Sequence, residues 1–210
     1  MTSSFCKVPT NPEFNYLIRS AHADELPRLI EIEKAALNLF KQTEHFALAD
    51  NPTPDPMMYL RFLDKGAIFV AVDSEDNIVG FALTEEVGCQ GFLNEIYVHP
   101  AHGRQGLGRR LVDAVKIWCD MRGYNEVRLT TFVNVAWNAP YYARLGFQPL
   151  KEDELSPELL DVRRDEATTW GVDITRTVFM TLVIRQNIMS IITKDRQKDS
   201  QKIVIFSVLS

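Results

Sequence analysis

Residues 103–110 read Gly103-Arg104-Gln105-Gly106-Leu107-Gly108-Arg109-Arg110, and these types at this spacing suit one task, the holding of an anion. A strand-like run from Gly91 to Val98 precedes them and closes on His99-Pro100. After them Leu111, Val112, Val115 and Trp118 recur at helical spacing, which predicts a helix from near Gly106 to about Met121. A strand, a glycine-rich turn and a helix start together present unpaired backbone amides and the positive end of a helix dipole, a setting that attracts phosphate or diphosphate. Gly106 and Gly108 leave no side chain in the way, and Arg104, Arg109 and Arg110 add positive charge at the rim. The plain alternative is a glycine turn before a helix, with no ligand. Two familiar phosphate loops are excluded: Arg109-Arg110 replaces the Lys-Ser or Lys-Thr of a P-loop, and Leu111 stands where a dinucleotide fingerprint needs glycine.

A second constellation follows one helix and one strand later: Asn138-Ala139-Pro140-Tyr141-Tyr142-Ala143-Arg144-Leu145-Gly146-Phe147. The first loop resembles motif A of the GNAT acetyltransferase superfamily and the second its motif B, in the family's order and at its usual distance. The family usually carries Arg or Gln three residues before the first glycine of the pair, where this chain has Gly103 with Arg104 beside it. The resemblance implies acetyl-coenzyme A as acyl donor, held by Gly103, Arg104, Gln105, Gly106, Leu107, Gly108 and Arg109 at its diphosphate. It further implies main-chain pairing of the pantetheine arm with Ile96, Tyr97 and Val98, and a contact from Asn138. No metal is implied.

The implied reaction is acetyl transfer to a primary amine of a small molecule by direct attack in a ternary complex. It makes three demands. A lysine-like amine is neutral only about once in 2,500 molecules at pH 7, so a base must take its proton. Glu95, on the strand before the loop, is the candidate; the alternative is a solvated charge, opposite Phe92, Asn94, Ile96 and Val98 in strand alternation. The leaving thiolate needs a proton, which the resemblance assigns to Tyr142, four residues before Gly146-Phe147 and otherwise a core aromatic. The oxyanion needs a donor, for which the family uses a backbone amide at the strand end Ile96-Tyr97-Val98. Asn138 can equally be an N-cap, Trp137 reads as packing, and Arg144 as a solvated helix charge. The acceptor pocket falls to the first two helices and their loop, where Glu31, Glu33, Glu44, His45, Asp55 and Tyr59 lie. Taken singly, each of these reads as surface. Two other functions fit the same residues, a coenzyme A-binding sensor with little catalysis and an N-acetyltransferase of proteins or peptides.

Elements that position these groups can be read from the pattern. Residues 1–12 look like a loose leader, and Phe14 to Arg19 a first strand. Ala23 to Phe40 reads as an amphipathic helix with Pro27 in its first turn, Thr43 to Asp55 as a loop, and Pro56 to Lys65 as a helix stopped by Gly66. Ala67–Val72, Ile78–Glu85 and Phe92–Val98 predict an antiparallel meander, and Glu126–Phe132 a strand parallel to the third; the resemblance implies that Phe92–Val98 and Val127–Phe132 splay apart at the cofactor. Gln148 to Pro157 reads as a polar connection, Pro157 to about Trp170 as a helix, and Thr175 to Ile184 as a strand. The expected fold is α/β, a mixed central sheet flanked by helices, in one domain over 13–185 with an extension over 186–210. A hydrophobic share of 46%, a charged share of 24% and a net charge of −5 suit a globular protein with no nucleic-acid partner. Cys6, Cys89 and Cys119 have no metal-binding or disulfide spacing, Cys119 reading as a buried helix residue, and no apolar run is long enough to span a bilayer. The expectation is a cytoplasmic protein, with no membrane partner and with homodimerisation.

Overall fold

The computed structural model describes residues 16–184 apart from 51, 53 and 170. The leader over 1–12, the extension over 186–210 and the expected helix end at Trp170 lie outside the described residues.

Seven strands form one sheet in the order β1-β2-β3-β4-β5-β7-β6. β2 (Ala67–Asp73), β3 (Ile78–Val87) and β4 (Gln90–Val98) pair antiparallel in succession, as the meander predicts, and β1 (Tyr16–Ser20) adds antiparallel to β2. β5 (Glu126–Phe132) lies parallel to β4 and antiparallel to β7 (Thr177–Val183), which pairs on its other side with the two-residue β6 (Gln148–Pro149). The fold is therefore the expected mixed sheet flanked by helices.

Each face of the sheet has its own core. α3 (Leu107–Met121) turns Leu107, Leu111, Val112, Val115 and Cys119 onto one face, against Leu93, Val127 and Leu129. Each leucine so buried contributes about 1.5–3 kcal/mol. α1 (Leu26–Leu37) and α2 (Pro56–Lys65) cover the other face, packing Leu29, Ile32, Tyr59 and Phe62 on Phe81 and Leu83. α5 (Pro157–Thr169) continues that layer through Leu159 onto Phe92 and Phe179. α4 (Ala139–Arg144) is short and sits on the α3 side, with Tyr142 in that core.

Several boundaries differ from the sequence reading. The helix expected over 23–40 is three pieces, a 3-10 turn at Ala23–Glu25, α1, and a second 3-10 turn at Asn38–Gln42. The expected loop over 43–55 contains a further 3-10 turn, Phe46–Asp50. β6 lies inside the expected polar connection. The last strand starts at Thr177 because Asp173 caps a 3-10 turn over Ile174–Arg176, accepting from the Thr175 amide.

The feature that positions the site is where β4 and β5 part. They are in register only at Gly91 with Val127 and Phe92 with Arg128; beyond that the two strands diverge, as the splay requires. Gly91 holds the vertex by being small: a Cβ there would lie 2.1 Å from Cys119 Sγ. Among the described residues no helix is long and apolar enough to cross a membrane, and no three His, Cys, Asp or Glu side chains are grouped to hold a metal ion.

Candidate active site

The glycine loop has the backbone geometry of an anion cradle. Gly103 is extended, Arg104 is left-handed at φ 61°, and Gly106, the residue before α3, is left-handed at φ 76°. Alternation of this kind turns successive amides to one side. Among the described residues no backbone carbonyl accepts from the amides of 104–109; the first α3 bond runs from Arg110 N to Gly106 O at 3.2 Å. The space a Cβ would fill at Gly106 is open, with no atom within 4 Å. Gly108 instead admits Tyr141, whose hydroxyl would be 2.7 Å from a Cβ there, so α4 packs directly on the head of α3. Residues 103–106 and Arg109 are exposed at the mouth, while the Leu107 side chain is buried, leaving only its main chain for a ligand. Arg110 does not join the rim. Its guanidinium is half-buried and donates to the Tyr16 carbonyl of β1 at 2.9 Å.

Glu95 is not the solvated charge that plain alternation allows. The β3–β4 ladder shifts register between Leu83 and Thr84: Thr84 faces Leu93, but Leu83 faces Glu95, so Asn94 is an extra residue. Directly opposed residues share a face. The bulge therefore puts Phe92, Glu95 and Tyr97 on the α1/α2/α5 side with Leu83 and Phe81, and leaves Ile96 and Val98 against the α3-side core. Glu95 Oε2 is buried with no hydrogen-bond partner among the described residues. Burial, and next the nearby Glu33 carboxylate, push its pKa up to about 8; Arg61 acts in the opposite sense.

Glu33 and Tyr59, read singly from sequence as surface residues, are 6% and 3% exposed. The Tyr59 hydroxyl donates to Glu33 Oε2, joining α1 to α2 beneath the sheet face that carries Glu95. Burial raises the Glu33 pKa and the Tyr59 bond opposes the rise. Tyr97, expected to serve through its main chain, is where these groups meet. Its ring lies 5.5 Å from that of Phe81, and its phenol is raised by burial and then by Glu95, Glu33, Tyr59 and Tyr142.

Tyr142 approaches from the other face. It is buried in the α3-side core, with edge contacts to Tyr141 and Phe147 at 5.5 and 5.6 Å between ring centroids. Burial keeps its phenol protonated well above the usual range. Asn138 begins α4 but makes no side-chain cap; its carbonyl accepts from Tyr141 N and Tyr142 N, and its half-buried side chain is left for another contact. Arg144 is exposed and lies over the Tyr141 ring.

The segment between α1 and α2 is pinned across the open end of the sheet. The buried His45 ring stacks at 3.9 Å on Phe132, the last residue of β5, and burial lowers its pKa, keeping it neutral. Phe40 meets Phe132 and Trp137 edge-on, so Trp137 packs through one edge of its ring while 45% exposed. Glu44 pairs with Arg176, which also holds Asp173. Glu31 is an exposed partner of Arg28, and Asp55 caps α2 through Met57 N; neither joins the site. A residue that motif reading passes over is Glu166 of α5, whose buried Oε2 has no hydrogen-bond partner among the described residues and whose pKa burial raises to about 7.

The fold that brings an acid and a phenol to opposite faces of a parted sheet is shared with known proteins. Residues 64–149 match the family model described as acetyltransferase (GNAT) domain. Over these residues the chain is similar to GNAT acetyltransferases. Solved structures similar to it include a GNAT-family acetyltransferase from Staphylococcus aureus, at 18% identity and TM-score 0.62 over 81% of this chain and 99% of that one. The ribosomal-protein-S18-alanine N-acetyltransferase of Escherichia coli aligns at 20% identity and TM-score 0.55 over 80% and 94%. PaiA N-acetyltransferase from Thermoplasma acidophilum, solved with coenzyme A, aligns at 14% identity and TM-score 0.58 over 81% and 99%. At such identities the likeness is one of fold.

Proposed function

We propose that the protein transfers the acetyl group of acetyl-coenzyme A to a primary amine of a small molecule, by direct attack while both are bound. The observation that carries this reading is the opening between β4 and β5, with Glu95 on the α1/α2 side and Tyr142 in the α3-side layer. Coenzyme A diphosphate sits on the amides of 103–109, with Arg104 and Arg109 at its edge. Ile96 to Val98 are unpaired toward β5, so their main chain is free to bond the pantetheine arm as an added strand would. Asn138, uncapped, completes that contact. The thioester then lies in the gap. The acceptor amine arrives from the α1/α2 side and gives its proton to Glu95. Its lone pair attacks the acetyl carbon, a backbone amide at the end of β4 stabilises the oxyanion, and Tyr142 protonates the departing thiolate.

Thiol release from acetyl-coenzyme A across a panel of small amines tests the reading. Turnover with at least one amine is expected; micromolar coenzyme binding with no turnover on any amine would replace it with the sensor function. A cytoplasmic, homodimeric state belongs to the same reading. The outer edge of β7 supports the dimer: among the described residues it bonds only to 148–150, through 179–181, and Val183 is 63% exposed. Light scattering of the full chain tests it, a monomer mass arguing against.

A further inference from the structure

Glu95 has an acidic neighbour that the proposed reaction does not use. Glu33 is buried on α1, its carboxylate anchored by the Tyr59 hydroxyl, and Tyr59 itself is fixed by an edge contact with Phe81 at 6.1 Å between ring centroids. Phe81 and Leu83 on β3 are the cross-strand partners of Tyr97 and Glu95, so the two carboxylates occupy one slab between the helices and the sheet. Two carboxylates there cannot both be ionised without a cation, and Arg61 is largely exposed and already paired with Glu85 at 3.4 Å.

We propose that Glu33 is a positioning residue for Glu95: the two carboxylates hold one proton between them, and Glu33, fixed by Tyr59, sets when Glu95 is free to accept the proton of an acceptor amine. This rests on the acetyl-transfer reading above. The hydrogen bond from Tyr59 favours the ionised form at Glu33, which leaves the shared proton on Glu95. The unpartnered Glu95 Oε2 is where that proton resides. The groups facing Glu95 are Glu33 on α1, Tyr59 and Arg61 on α2, and Tyr97 on its own strand; the β3 residue opposite is apolar. Burial raises the Glu33 carboxyl against the pull of the Tyr59 bond, and burial followed by the Glu33 charge raises that of Glu95. An entering ammonium supplies the missing cation, and the proton held on Glu95 passes to solvent, leaving Glu95 as carboxylate. The proton then moves from nitrogen to Glu95, leaving a neutral amine and a carboxylic acid with unchanged total charge.

The test needs no acceptor. The full chain, carboxyl-13C-labelled at glutamate, is titrated by NMR, the Glu95 signal being the one lost in Glu95→Gln. Glu33→Gln keeps an acceptor for Tyr59 but removes the charge, and the Glu95 midpoint is expected to fall by about one pH unit or more. Tyr59→Phe, which strips the donor from Glu33 and passes the shared proton to it, is expected to move the Glu95 midpoint the same way. A midpoint that stays at its wild-type value in a folded Glu33→Gln protein overturns the proposal; should that variant not fold, an unmoved midpoint in Tyr59→Phe does so. Titration that shifts as expected in a protein that acetylates no amine would remove the catalytic reading and leave the pairing of Glu33 with Glu95 standing.

Discussion

Leu83 of β3 faces Glu95 of β4, and this pairing places an ionisable group under the α1–α2 layer at the mouth of the gap between β4 and β5. A carboxyl group there is useful only once ionised. Glu95→Gln should reduce kcat by about 10²–10⁴ with coenzyme affinity unchanged, the range for loss of a general base. With an acceptor whose own amine pKa lies below 7, the wild-type rate should climb with pH through about 8, where Glu95 ionises, and this limb should vanish in the variant. An unchanged profile would remove Glu95 from the chemistry.

Tyr142→Phe should lower kcat and leave the dissociation constant for coenzyme A within about twofold, because the ring contacts with Tyr141 and Phe147 survive loss of the hydroxyl. Isothermal titration beside steady-state kinetics measures both. A rate equal to wild type would make Tyr142 a core residue only.

At Gly106 the left-handed backbone, φ 76°, and the empty space before it are both features of the cradle. Gly106→Val should cost about 1–2 kcal/mol of stability from the backbone alone and weaken coenzyme A binding by far more than tenfold, since the branched chain enters the space a phosphate would use. Binding at wild-type strength would move the diphosphate elsewhere.

Gly91 and Cys119 meet at the vertex of the splay, 2.1 Å from Cβ to Sγ were glycine replaced. Gly91→Ala should destabilise by about 1–3 kcal/mol, as overpacking does, and Cys119→Ala in the same chain should return most of it. Chemical denaturation of the four proteins reads this coupling. Additive losses would show that the contact is relieved some other way.

Stability should also depend on pH. Glu33 and Glu95 have carboxyl groups whose folded pKa is raised above the unfolded one, Glu95 to about 8. Their contribution is full below pH about 4.5 and is lost as pH rises toward 8, because the unfolded chain then releases protons that the folded chain keeps. The melting temperature should therefore fall between pH 5 and pH 8.5, and fall less in Glu95→Gln. A flat or rising curve would contradict the burial of this pair.

Local signals were legible because they are short-range in the chain. Gly106 and Gly108 before an apolar helical stripe fix the amide cradle, since a left-handed turn and a helix start are set by neighbouring residues. The same holds for the strand–helix–strand connection that makes β4 and β5 parallel, and for Tyr142 in its motif. What the tertiary structure decided is which groups meet. A single extra residue, Asn94, reverses the alternation of β4 and brings Glu95 in from what would otherwise be the opposite face. Glu33 and Tyr59, far apart in sequence, become one hydrogen-bonded pair only when α1 and α2 close on the sheet, and Arg110 leaves the rim because β1 offers it a carbonyl. Chain order sets elements and their backbone chemistry; face, burial and charge pairing depend on register and on packing between distant segments, and those arise only when the layers assemble.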